Sequence, residues 1–259
     1  MAKTVKTKAQ PPATYWFRSQ QPLSSLFMLL PLIVVYEVGV LFCAYDPTLT
    51  LPDVLAHSMI ARFVTVFGIT PRLLPGLIVV VLLLSMHVFH GQRSPFSPRL
   101  YLNMGIEAGL LSVPLFVFML VLGRQMWALV PLQAAAHAPI SWQAQMFLSL
   151  GAGIYEELLF RVIAIALLHY ILVDYLALPD TLGTALTVAG SALAFALYHF
   201  DLSAGPGQEH AFSFPSFVCY AFGGVYLAVV YVLRGFGIAA STHACYDILV
   251  TLMIAVTPG

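Results

Sequence analysis

The sequence predicts an all-α fold, a polytopic transmembrane helix bundle with about seven or eight helices around a polar intramembrane cavity. Three observations predict it. Of 259 residues, 60% are hydrophobic and 8% charged, against roughly 25% charged in soluble domains; a water-soluble globule of this size could not be covered by so little polar surface. Mean hydropathy is +0.91, and the apolar residues fall in uninterrupted runs close to the roughly 20 residues that a helix needs to cross hydrocarbon. The few ionisable residues inside those runs cluster instead of scattering. Net charge is zero, with Lys+Arg 11 and Asp+Glu 11, so the clustered basic surface of a nucleic-acid-binding protein is missing.

Residues 1–22 are polar and cationic and read as a retained cytoplasmic tail, with Trp16 and Phe17 near the interface. The apolar run that follows is too long for the core of a signal peptide. Residues 23–259 then form a single transmembrane domain. Seven apolar runs bounded by charge, Pro or Gly cover 24–45, 73–90, 103–123, 141–172, 182–200, 213–233 and 236–256. The fourth is longer than one crossing requires, so it is strongly tilted or broken near Arg161. The connection 46–72 is apolar at helical spacing and predicts an amphipathic surface helix. With seven crossings and a cytoplasmic N-terminus, Lys3, Lys6, Lys8, Arg18, Arg93, Arg99 and Arg234 lie inside, and Arg62, Arg72 and Arg124 outside. That bias follows the positive-inside rule. The expected location is a cell membrane, and the compact loops point to a bacterial cytoplasmic one. Cys43, Cys219 and Cys245 all sit in apolar runs, with no CxxC or Cys/His spacing.

An ionisable side chain at the centre of a membrane helix costs about 2.5–3.5 kcal/mol on insertion scales, so such residues face cavities and mark function. Here they are Glu37, His87, His90, Glu107, Glu156, Glu157, Arg161, His169, His199, His243 and Asp247. The densest group is YEELLFRV, 155–162. Glu157 and Arg161 are four apart, share a helical face and can form an ion pair. Glu156 points about 100° away, which leaves it free for general acid/base work. FALYHF, 195–200, puts Phe195 and His199 four apart, and STHACYD, 241–247, does the same for His243 and Asp247. Such a His and acid on one face require a partner or water, as a hydrogen-bonded pair, metal ligands or part of a catalytic centre.

Glu156-Glu157-Leu158-Leu159-Phe160-Arg161, Phe195-Ala196-Leu197-Tyr198-His199 and His243-Ala244-Cys245-Tyr246-Asp247, in this order and on separate helices, resemble the motifs of the CPBP family of intramembrane proteases. That family includes CAAX prenyl endopeptidases and bacteriocin-processing or self-immunity homologues. Its pattern is EExxxR, FxxxH and HxxxN or HxxxD, and the resemblance spans roughly 141–256. It implies an intramembrane endopeptidase in which Glu156 and His199 activate a water, with the glutamate as general base. His243 and Asp247 would stabilise the oxyanion or position the substrate carbonyl. Glu157 and Arg161 would support the site, and Phe195 would pack beside it. An ionised Asp247 cannot donate a hydrogen bond as the amide of the frequent Asn does, so it would be protonated or would orient His243.

The resemblance admits two chemistries. A glutamate-type protease without metal is favoured. With a divalent metal such as zinc, Glu156, His199, His243 and Asp247 would supply two imidazoles and up to two carboxylates, although the chain has no HExxH. The implied partner is a membrane-associated protein or peptide substrate with a hydrophobic or lipidated terminus. A proton- or ion-coupled transporter built on the same four residues is the alternative, weakened by the lack of an inverted repeat, and a non-catalytic scaffold is a third reading. One difficulty stands. In the seven-crossing sketch His199 falls near the outer end of its helix and His243 about 10 Å from the inner end of its own, so the two fail to meet unless helices tilt or loop 201–212 enters the bilayer.

Overall fold

A computed structural model describes residues 14–45, 54–66, 68, 74–90, 96–127, 141–204 and 210–256. Among these residues every regular element is helical. In chain order they are α1 (Tyr15–Ser19), α2 (Pro22–Tyr45), α3 (Leu55–Thr65), α4 (Leu74–His90) and α5 (Pro98–Trp127), then α6 (Trp142–Tyr175), α7 (Asp180–Tyr198), α8 (Phe214–Arg234) and α9 (Phe236–Val256). Six of the described helices, α2 and α5 to α9, are long and apolar enough to cross a membrane, and α4 is a shorter apolar helix. The chain is a multi-pass membrane protein. The fold agrees with the predicted bundle, and each predicted run corresponds to one helix.

α9 is the hub. It packs against α6, α5, α8 and α2, while α7 lies along α8. Leu29, Ile33, Tyr36, Ile154, Leu158, Phe236 and Ala240 interlock where α2, α6 and α9 meet, and Ala56 and Ile60 bring the inner face of α3 onto the same core. Large apolar side chains such as Val34, Val38, Leu110 and Val229 point outward from the bundle, as expected where lipid is the solvent. Helix α3 is the described part of the predicted surface helix, and 46–53 lies outside the described residues. Its outer face exposes Leu55, Met59 and Phe63.

Two local devices set the position of α9. Gly235 has φ 83°, the left-handed region that glycine enters without steric cost, and it turns the chain from α8 to α9 within one residue. The first N–H groups of a helix lack intrahelical partners, and here the N–H of Gly237 donates to Ser25 Oγ of α2 at 3.0 Å.

The fourth predicted run is neither broken nor a plain α-helix. α6 runs unbroken from Trp142 to Tyr175, with π-helical turns over Leu158–Ala164 and Tyr170–Tyr175. Its first π stretch holds Arg161. Such wide turns are rare and gather at functional sites.

Candidate active site

The EExxxR segment divides its charges as helical spacing dictates. Arg161 Nε lies 3.1 Å from Glu157 Oε2, both side chains fully buried, an ion pair by distance without hydrogen-bond alignment. The guanidinium also reaches Ser191 Oγ at 3.4 Å and lies 4.7 Å from the centre of the Phe195 ring, a cation–π contact. Ser191 in turn donates to the Phe160 carbonyl at 2.6 Å, tying α7 to the π stretch of α6. Glu156 turns away from this pair toward His199 and His243.

His199 caps the C-terminus of α7. The last carbonyls of a helix lose their backbone donors, and here the His199 N–H shifts to Ala196 O at 3.4 Å. The Phe195 carbonyl then accepts from His199 Nδ1 at 2.8 Å. A carbonyl only accepts, so Nδ1 carries the proton and Nε2 is the free nitrogen of the neutral ring. This is the physical content of the FxxxH spacing. Tyr220 stacks on the His199 ring at 4.0 Å, and the Phe195 ring touches His199 at 4.7 Å and His243 at 5.9 Å.

His243 is fixed the same way by a carboxylate. Its Nδ1 donates to Glu157 Oε1 at 2.9 Å, so Glu157 bridges Arg161 and His243. His243 Nε2 points to Asp247 Oδ2 at 3.5 Å and Glu156 Oε2 at 4.0 Å. The carboxylate behind His243 is therefore Glu157, and Asp247 stands on the reactive side of the ring. Asp247 thus meets His243 at Nε2, the ring nitrogen opposite the one that Glu157 holds. His199 Nε2 lies 3.9 Å from Glu156 Oε2.

The two histidines therefore do meet, against the seven-crossing sketch. The nineteen residues of α7 measure about 28 Å at 1.5 Å per residue. That is close to the length of α6 beyond Glu156, along which α7 folds back. His199 consequently arrives at the level of Glu156 rather than at a far surface.

A cavity of about 380 Å³ opens on His199, His243 and Asp247, with Phe195, Tyr220 and Tyr246 beside them and Leu115, Met119, Gly223 and Leu227 forming an apolar wall. One end is thus polar and the rest greasy. Sequence reasoning missed Tyr198, Tyr220 and Ser191, which are ordinary residues in a membrane helix until the fold brings them to the histidines and the arginine. The FALYH motif already contained Tyr198, and its position before His199 was the available signal.

The other intramembrane charges belong elsewhere. Glu37 accepts from Tyr155 Oη at 2.6 Å. Glu107 receives Arg234 Nη2 at 2.8 Å and also pairs with Arg234 Nε and the Tyr15 hydroxyl. Arg234 further donates to Ser19 at 2.9 Å and stacks over Trp16 at 3.7 Å. Burial, followed by the bond to Glu107, pushes the Tyr15 phenol up to about 12, so it remains a donor and pins α1 to the bundle. His87 and His169 are half-buried and belong to neither cluster, and the His90 side chain is outside the described residues.

Two donors about 2.0–2.1 Å from one tetrahedral zinc lie about 3.3 Å apart. The 3.9 and 4.0 Å gaps around Glu156 are wider, and among the described residues no three His, Cys, Asp or Glu side chains gather at ligand distances. As arranged, Glu156 stands farther from each imidazole than two ligands of one tetrahedral zinc stand from each other.

Residues 138–249 match the family model described as type II CAAX prenyl endopeptidase Rce1-like. No curated protein and no solved structure matches the chain. The matched stretch holds Glu156, Glu157, Arg161, Phe195, His199, His243 and Asp247 together, and over it the chain is similar to the type II CAAX prenyl endopeptidases.

Proposed function

We propose that this protein is a glutamate-type endopeptidase that cleaves a peptide bond of a membrane-associated protein with a hydrophobic or lipidated terminus, and that it uses no metal. The observation that carries the reading is the spacing around Glu156 Oε2, 3.9 Å to His199 Nε2 and 4.0 Å to His243 Nε2. Both gaps are too long for a direct hydrogen bond, and both have the width that one water fills at about 2.8 Å from each neighbour.

In this mechanism His199 Nε2 accepts a hydrogen bond from the water, because its Nδ1–H is engaged by Phe195. Glu156 takes the other proton as the water oxygen bonds to the substrate carbonyl carbon. The carbonyl electrons move to oxygen, where imidazolium Nε2–H of His243 donates to the oxyanion. Glu156 then passes its proton to the amide nitrogen as the C–N bond breaks. Asp247, on the cavity wall, accepts from a substrate backbone N–H, a role open to an ionised acid. Glu157, held by Arg161, keeps His243 oriented, and the apolar wall takes the hydrophobic part of the substrate. We read 23–259 as one transmembrane domain in the cell membrane, with the N-terminus cytoplasmic.

The test is mass spectrometry of membrane proteins from cells carrying the wild type or Glu156→Gln. The expected outcome is a new terminus found only with the wild type, with the variant still folded and inserted. Loss of an ion or substrate flux with no cleaved species would support the transporter reading instead.

A further inference from the structure

We infer that Tyr198 is a positioning residue for Glu156 and that it links the catalytic carboxylate to helix α3. The inference rests on the proteolytic reading above. The Tyr198 hydroxyl lies 3.5 Å from Glu156 Oε1, the oxygen opposite the one that faces the two imidazoles. A hydrogen bond with the Ala56 backbone holds the same hydroxyl. Ala56 is the second residue of α3 and is completely buried. An N–H in the first turn of a helix has no partner within that helix, so the Ala56 N–H is available and the phenol oxygen accepts it. With its oxygen engaged from that side, the hydroxyl proton is left for Glu156. Direction then runs one way, from the α3 backbone through Tyr198 to the carboxylate.

The ring itself is held by edge contacts to Phe160 at 5.1 Å and His199 at 5.2 Å. Tyr198 thus holds Oε1 while Oε2 turns to the water site. A contact of 3.5 Å is long for a hydrogen bond, and catalytic bonds of this kind shorten when substrate closes the site. The outer face of α3 exposes Leu55, Met59 and Phe63, so the seating of this helix against lipid sets the far end of the link.

The test measures kcat and KM for a quenched fluorescent peptide ending in a farnesylated cysteine plus three residues. The full chain is reconstituted in phosphatidylcholine–phosphatidylglycerol vesicles as wild type, Tyr198→Phe, Tyr198→Leu and Glu156→Gln. Tyr198→Phe keeps the ring and removes the hydroxyl. It is expected to lower kcat about tenfold, in keeping with the loss of a hydrogen bond to a charged group, with KM within about twofold and an unfolding temperature in detergent like the wild type. Tyr198→Leu also loses the ring contacts and is expected to melt earlier. If Tyr198→Phe matches the wild type while Glu156→Gln is inactive, the hydroxyl has no positioning role and the inference falls alone. If the wild type cleaves no faster than Glu156→Gln, the proteolytic reading falls and takes the inference with it.

Discussion

Among the described residues Arg161 is the largest side chain with essentially no exposure, and it makes no proposed contact with substrate. Its work is to hold Glu157, which holds His243. Removing one partner of a buried ion pair leaves the other charge uncompensated, a cost of about 3–5 kcal/mol. Arg161→Met is therefore expected to melt well below the wild type in detergent and to lose cleavage with it. Glu156→Gln should melt like the wild type, because glutamine keeps the shape of the side chain and Glu156 makes no direct hydrogen bond to either imidazole. Equal melting of Arg161→Met and the wild type would overturn the support role. The Glu157–Arg161 pair was legible in the sequence, since four-residue spacing in a helix places both on one face. The Glu157–His243 bond was not, because it joins positions 86 residues apart and depends on how α6 and α9 cross.

At the level of elements, the approach of α6 to α9 decides that crossing. A Cβ added at Gly153 would stand 2.7 Å from Ala240 O and from Ala244 N, both backbone atoms that cannot swing aside. Small residues at such crossings let membrane helices pack backbone to backbone. Gly153→Ala should push α9 away from α6, one turn from the Glu157–His243 bond, and destabilise the bundle by about 1–3 kcal/mol as overpacking does. Thermal unfolding in detergent together with the cleavage rate checks this, and a variant as stable and as active as the wild type would contradict it. The sequence showed that the fourth run was too long for a single simple crossing. It did not show the π turns at Arg161, because the hydrogen-bond register of a helix leaves no mark in hydrophobic periodicity.

Across the whole molecule, the site lies where α6, α7 and α9 converge, with α5 and α8 closing the apolar side of the cavity. The metal-free proposal makes a prediction at this scale. Cleavage by purified protein in vesicles should survive dialysis against EDTA and 1,10-phenanthroline, measured as the initial rate; an activity that disappears and returns with added zinc would reverse the assignment. The amino-acid sequence by itself determined the membrane class, the order of the apolar runs and the three polar motifs, because hydropathy and i,i+4 spacing are local properties. Its sketch of straight alternating crossings kept His199 and His243 apart. Only the tertiary structure decided that they share Glu156, that Glu157 rather than Asp247 backs His243, and that Tyr198 and Ala56 reach the site. The physical reason is that a linear pattern fixes which way a side chain points around its own helix, whereas the depth at which two helices meet depends on their lengths, their turns and the small residues between them.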